Sequence, residues 1–176
     1  MRYWLTTDTH FGHNNIIEWC KRPKDYEQKI LNGLSNTVGI HDILIHLGDI
    51  HFNDSKFWHD RLREACQPMS KWLIKGNHDK LSNTYYHSQG WDIVCEQIEM
   101  KLYGRSIILS HKPVWCDMQH INIHGHFHNV DSNRWEKNLV ALLTPSHHIL
   151  CIEQLNYIPV TLQWAVDHLP YTKDRL

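Results

Sequence analysis

The stretch Ile43-Leu44-Ile45-His46-Leu47-Gly48-Asp49-Ile50-His51 decides the fold. An apolar run rich in β-branched residues stops at Gly48-Asp49, the pattern of a short buried strand. Gly48 permits a sharp turn or the close approach of a neighbouring backbone. Asp49 is thereby delivered at the carboxyl end of the strand, where open α/β sheets gather their ligands. A carboxylate at such a place needs a cation or hydrogen-bond donors to offset its desolvation.

Upstream, residues 2–7 read as a first strand that ends in Asp8-Thr9-His10-Phe11-Gly12-His13-Asn14-Asn15. Residues 16–20 make a helical turn or two, stopped by Pro23. Asp25 then caps a helix in which Tyr26, Ile30, Leu34 and Val38 recur every four residues, and Gly39 ends it. Downstream of the central strand, Asp54 or Ser55 caps a helix with Phe57, Trp58, Leu62 and Ala65 on one side, and Pro68 closes that segment. Residues 69–75 are a third strand leading into Gly76-Asn77-His78-Asp79. This β-α-β-α-β alternation predicts a parallel sheet with crossover helices.

The second half changes character. Residues 93–102 and 106–110 read as strands joined by a turn at Tyr103-Gly104. His111-Lys112-Pro113 follows, then residues 121–124 running into Gly125-His126-Phe127-His128. Residues 138–143 and 149–153 are further strand candidates, and Ser132-Asn133-Arg134 is expected to be an exposed loop. Residues 161–169 close the chain as a helix with Leu162, Ala165, Val166 and Leu169 inward. With no repeat, low-complexity segment or linker, the expectation is one α/β domain over residues 1–176, two sheets packed face to face with helices outside.

Composition narrows the function classes. Lys and Arg number 18 against 19 Asp and Glu, a net charge of −1, so no global basic field recommends a long nucleic acid as partner. Five cysteines form no CxxC pair, which fits free thiols in a reducing compartment. No apolar run approaches the roughly 20 residues of a membrane helix, and no signal-peptide core precedes Asp8. A cytoplasmic protein without a membrane partner is the expectation. Sixteen histidines, nearly as many as the acids, make imidazole chemistry the feature to follow.

Metal-type ligands stand at several separate strand ends. Asp8 and His10 lie two apart, as do His126 and His128, and period two in extended backbone would aim each pair to one side. Asp49, Asn77, His78 and His111 complete the set. Taken alone, each element has an ordinary reading, Gly76-Asn77 for instance as a turn. All of them in order, each after an apolar run, are hard to explain as turns. Oxygen and imidazole donors without thiolate suit Mn, Fe, Zn or Co. Seven ligands exceed what one tetrahedral ion uses, but serve two ions ~3.5–4 Å apart that share Asp49.

Asp8-Thr9-His10, Gly48-Asp49, Gly76-Asn77-His78-Asp79, His111 and Gly125-His126-Phe127-His128 resemble the motif series of the calcineurin-like metallophosphoesterase superfamily, and the closing Asn156-Tyr157-Ile158-Pro159-Val160 resembles its small bacterial and phage-borne members. The resemblance implies a four-layer α/β/β/α sandwich of two mixed sheets with flanking helices. It implies that Asp8, His10 and His128 hold one divalent ion, that Asn77, His111 and His126 hold the other, and that Asp49 bridges them. Mn is the favoured metal, with Fe, Zn, Ni or Co as alternatives. The implied reaction is hydrolysis of a small phosphomonoester or phosphodiester, with a nucleotide or cyclic nucleotide among the candidates. Two dications neutralise the ester oxygens and make hydroxide available between them, and a cationic His78 stabilises or protonates the departing oxygen. Asp79 is a candidate to orient His78.

Local features refine the expectation. His13, Asn14, His51 and Lys112 are candidate substrate contacts. The Asp-Arg turn of protein-phosphatase relatives is absent at His51, which argues against that role. The other histidines, among them His46, His59, His124 and His147, read as structural or exposed. Trp115 reads as a packing residue, with base stacking the alternative. Two rival functions remain: a binding scaffold with a weak site, which the complete ligand set disfavours, and a nuclease on short single strands. Pocket walls from residues 11–20, 50–56 and 112–120 would choose the substrate.

Overall fold

Four short apolar strands pair in parallel in the computed structural model, which describes residues 1–131 and 134–175. β1 (Tyr3–Thr6), β2 (Ile43–His46), β3 (Ser70–Ile74) and β4 (Ile93–Cys95) lie in the order β4-β3-β2-β1. β5 (Gln97–Leu102), β6 (Arg105–Ser110), β7 (His120–His124) and β8 (His147–Ile149) form a second sheet in chain order. There β5 pairs antiparallel with β6 and the other pairs are parallel. β9 (Val160–Thr161) adds an antiparallel edge to β1. Both sheets are therefore mixed. All four residues of β2 are buried, as expected of a central strand covered on both faces.

The helices are α1 (Ile16–Trp19), α2 (Tyr26–Thr37), α3 (Ser55–Ala65), α4 (Asn83–Ser88), α5 (Lys137–Val140) and α6 (Leu162–His168). Tyr26, Ile30 and Leu34 of α2 and Leu62 of α3 pack on Leu44 and Leu73, covering the outer face of the first sheet. Leu5, Ile45 and Ile74 meet Ile107, Leu109 and Ile123 between the sheets, where α6 adds Leu162, Ala165 and Val166. The outer layers are unequal. Beyond the second sheet, among the described residues, stands the single turn of α5, with Leu139 and Leu143 packed around Phe127 and Trp135. The loop after β6 covers part of that face, tied down by Val114 N–H donating to Asn122 Oδ1 (3.1 Å).

Several expectations need correction. The strand expected over 93–102 breaks at Glu96, and its halves join different sheets, which is how the chain crosses from one to the other. Residues 138–143 do not form a strand. Leu139 sits in α5 and Leu143 just past its end, both buried in one cluster, and the two periods cannot be told apart over so short a run. The strand expected over 149–153 ends at Ile149, after which the chain turns and brings Glu153 back toward His128. In α3 the buried side chains are His59 and Leu62, while Phe57 is exposed; Asp54 caps it through Phe57 N–H. Asp25 makes no side-chain cap on α2, its carboxylate pairing with Lys29 instead. Of the expected loop, Ser132 and Asn133 lie outside the described residues and Arg134 is exposed. Among the described residues no helix is long and apolar enough to cross a membrane.

Gly33 yields a testable sign. Within a helix Ala is ordinarily favoured over Gly by about 1 kcal/mol. A Cβ on Gly33 would lie 2.6 Å from the Tyr157 carbonyl oxygen and 3.2 Å from Ile158 Cα, both backbone. Gly33→Ala is therefore expected to destabilise, by about 1–3 kcal/mol, as read by urea denaturation. A stabilised variant would show that the 156–159 turn gives way freely.

Candidate metal centre

Every expected ligand sits in a loop that leaves a strand, and the loops are stitched to one another. After β1 ends, Asp8 N–H donates to Gly48 O (2.9 Å), His10 N–H to Asp49 O (3.0 Å) and Phe11 N–H to Ile50 O (2.9 Å). Gly48 adopts φ +93° and packs against Gly76, where a Cβ would lie 2.5 Å from the Gly76 nitrogen. Both readings of Gly48, turn and close approach, hold together. This contact lets His78 N–H donate to Asp49 Oδ1 (2.8 Å).

The side chains converge, but not by strand periodicity. Asp8, His10, Asp49, His126 and His128 all have left-handed backbone, with φ of 48°, 46°, 58°, 71° and 50°. Non-glycine residues there cost on the order of 1–3 kcal/mol each and persist only where surrounding structure imposes them. The pairs Asp8/His10 and His126/His128 thus reach the centre from curled loops, not from extended backbone.

Two groups of donors form around Asp49. His10 Nε2 lies 3.1 Å from His128 Nε2, 3.8 Å from Asp8 Oδ1 and 3.5 Å from Asp49 Oδ2. On the other side His111 Nε2 lies 3.3 Å from Asp49 Oδ2 and 3.0 Å from Asn77 Oδ1. Asp8, His10 and His128 offer atoms within 4.8 Å of one another, and so do Asp49, His111 and His126. Asp8 Oδ2 accepts from Thr7 Oγ1 (2.7 Å) and His126 N–H (3.0 Å), whereas buried Asp8 Oδ1 finds no hydrogen-bond partner among the described residues and faces His128 Nε2 at 3.5 Å and His10 Nε2 at 3.8 Å. A buried carboxylate oxygen that accepts no hydrogen bond and faces two imidazole nitrogens fits a cation between them.

Protonation follows from the crowding. Burial opposes the Asp49 charge, but the His111 hydrogen bond and charge outweigh it and hold the carboxyl down to about 2. Burial likewise opposes the Asp8 charge, and His128, His10 and His111 keep that carboxyl well below its usual range. His111 is raised to about 9, burial being overcome by Asp49 and Asp8, and His128 is raised as well. His10 goes the other way, pushed by burial to about 4. Two protonated imidazoles thus supply the positive charge that the two carboxylates demand.

A set of partners outside the sequence expectation, buried at Arg22, Glu153 and Asp79 and exposed at Glu136, supports these residues. Glu153 Oε1 faces His128 Nδ1 (3.1 Å) and accepts from Arg22 Nη2 (2.6 Å) and Nε (2.9 Å). Arg22 also donates to the carbonyls of Asp8 (2.7 Å) and Thr9 (3.0 Å), clasping the curled loop from behind. Asp79 does not orient His78. Its carboxylate accepts from the N–H groups of Asp49 (2.6 Å), Gly76 (2.9 Å) and Ile50 (3.2 Å), tying the two glycine turns, and burial raises it to about 6. Glu136 accepts from His126 Nε2 and Lys112 Nζ, both at 2.8 Å. No local pattern distinguishes Arg22, Glu153 or Glu136. Asp79 stood in the motif, and its role needed the fold.

The candidate substrate contacts separate. His13 is buried against Phe52 and next to His10. Lys112 lines a cleft of about 280 Å³ with Lys75, Asn77, Glu96 and His111. Asn14 is exposed, and His51 turns to Ser55 Oγ (2.8 Å) and His59. His46 braces the turn, accepting from Gly48 N–H (3.0 Å) and meeting Thr9 Oγ1 (3.0 Å). Trp115 is 76% exposed, against the packing expectation.

Two mixed sheets flanked by helices, with an Asp/His/Asn cluster at one end of the strands, define a metallophosphoesterase-type protein. The calcineurin-like phosphoesterase family profile matches residues 1–172, and the chain belongs to that family. It is 27% identical over 176 residues to the uncharacterized protein MJ1445 of Methanocaldococcus jannaschii, covering 94% of this chain and 89% of that protein. It is 28% identical over 159 residues to the gene 66 protein of Mycobacterium phage L5, covering 72% and 77%. Among solved structures, the protein of unknown function AQ665 from Aquifex aeolicus superposes with a TM-score of 0.69 at 25% identity, covering 94% of this chain and 97% of that one.

Proposed function

We propose that this protein hydrolyses a small phosphoester with two divalent ions, Mn first among them, held on either side of Asp49. The observation that carries the reading is the convergence on Asp49 of two donor groups from loops that the sheets hold in place. Asp8, His10 and His128 would hold one ion, and Asn77, His111 and His126 the other, with Asp49 shared. When bound, such ions neutralise phosphoryl oxygens and acidify water. Water oxygen bonds to phosphorus as the P–O bond to the alcohol breaks, and the departing oxygen takes a proton. His78 gives that proton. Its backbone is fixed by Asp49 Oδ1, and its ring stands 5.3 Å from the ring of His10. Purified protein with Mn²⁺ is expected to cleave a chromogenic phosphomonoester or diester and to stop on chelation. No turnover with any of the five metals would contradict the reading.

Metal uptake carries its own pH dependence. An imidazole must be neutral to bind a metal. His111, raised to about 9, and His128, raised likewise, are protonated at neutral pH. Acid therefore opposes loading. Mn²⁺ affinity is expected to rise with pH from 6 to 9, with proton release detected by calorimetry in buffers of different ionisation heat. Affinity flat across that range would refute this set of ligands.

A further inference from the structure

His13 is the hub of an aromatic cluster that the ligand set does not require. Its ring lies 4.2 Å from Phe52, 5.3 Å from Trp19, 5.7 Å from His10 and 6.4 Å from His78. Phe52 is also 5.7 Å from His78. His13 is 6% exposed because its neighbours cover it, whereas Phe52 and Trp19 are 50% and 52% exposed. Scattered single apolar residues on a surface need no explanation. Two half-open aromatic rings on one buried imidazole, itself in ring contact with a candidate ligand and with His78, form a continuous wall.

The wall is held in place. Phe52 N–H donates to Phe11 O (2.9 Å), Asn53 Nδ2 to Gly12 O (3.3 Å) and Gly12 N–H to Glu27 Oε1 (2.7 Å). The cleft beside His111 is of different character, lined by Lys75, Glu96 and Lys112. The centre therefore carries charged side chains on the His111 side and aromatic rings on the His78 side. A group that suits the aromatic side is planar, offers a π-face and is joined to the phosphorus by a short spacer.

We propose that Phe52 and Trp19, with His13 between them, form a stacking platform for the base of a nucleoside phosphoester, carried by the ester arm that leaves on the His78 side. This deepens the phosphoesterase reading and rests on it. Every nucleobase presents a π-face, so stacking selects for a base without selecting which one.

The test compares substrates with the same kind of leaving alcohol, with and without a base: a nucleoside 5′-monophosphate against ribose 5-phosphate, and a dinucleotide against its abasic counterpart, on the full chain with Mn²⁺. The base is expected to raise kcat/KM roughly fivefold to a hundredfold. In Phe52→Ala and Trp19→Ala that ratio should fall toward one, and in Trp115→Ala it should stay. Equal rates with and without the base, or a ratio lost in Trp115→Ala and kept in Phe52→Ala, would overturn the platform while leaving the hydrolase reading intact. If no ester is cleaved, the hydrolase reading fails, and calorimetric binding of the mononucleotide and of ribose 5-phosphate still decides: indistinguishable affinities overturn the platform, and tighter nucleotide binding that Phe52→Ala removes supports it.

Discussion

Asp49→Asn is expected to remove about a thousandfold or more of the metal-supported turnover, on the order of 4 kcal/mol of transition-state stabilisation, with the fold intact. Asn retains an oxygen to accept from His78 N–H, so the turn survives. It also tolerates the left-handed φ of 58° at this position as well as Asp does. What it loses is the negative charge that faces His10 Nε2 at 3.5 Å and His111 Nε2 at 3.3 Å. With that charge gone, burial prevails and the His111 imidazole falls from its raised value of about 9. Steady-state kinetics, Mn²⁺ titration and thermal denaturation together read the result. Normal turnover in Asp49→Asn would sink the shared-ligand mechanism, and a large drop in melting temperature would mean that the carboxylate is needed for the fold as well.

The largest effect on stability is expected at Arg22. Its side chain is fully buried, paired with a Glu153 side chain only 4% exposed. Arg22→Met takes the guanidinium from that carboxylate, which keeps only the His128 side of its pairing, and leaves the Asp8 and Thr9 carbonyls without a donor. Breaking a buried pair from one side costs about 3–5 kcal/mol. The pH dependence gives a second signature. Burial opposes the Glu153 charge, but His128 and Arg22 outweigh it and lower its carboxyl to about 2. A lowered folded pKa means a stabilisation present in full above the unfolded value, about 4.3, and lost as pH falls toward 2. The wild-type protein should show an acid limb in urea denaturation between pH 5 and 2, and in Arg22→Met that limb should be shallower, because His128 still lowers Glu153 and Asp49 keeps its own lowered carboxyl. Glu153→Gln spares the fold more, but removes the carboxylate behind His128 and is expected to weaken metal binding about 10–100-fold. The double variant should recover part of the single-variant loss, because no charge is left stranded. Additive losses would show that the two side chains do not act as a pair.

Much of the centre was legible because its signals are local. Apolar runs that end in Gly48-Asp49, Gly76-Asn77 and Gly125-His126 mark strand ends, and the residue types there name the chemistry. The seven expected ligands do meet. His51 shows the limit of proximity along the chain: two residues past Asp49, it turns to Ser55 and His59 because the loop pairs with Phe11 and points the ring inward to that packing. The run over 93–102 shows another limit, since nothing in an unbroken hydropathic pattern says that its two halves will serve different sheets.

By itself, the sequence carried the β-α-β-α-β order of residues 2–75 and the residue types that meet at the strand ends, though not the helix at Asn83–Ser88, because period, turn chemistry and side-chain type are properties of short segments. Only the tertiary structure decided how the donors aim. Left-handed backbone at Asp8, His10, Asp49, His126 and His128 is imposed by neighbouring loops, and Arg22 meets Glu153 across 131 residues of chain. Burial is what makes those choices, since a charge or a strained dihedral is tolerated only where packing brings the partner that compensates it, and packing is not written in any one segment.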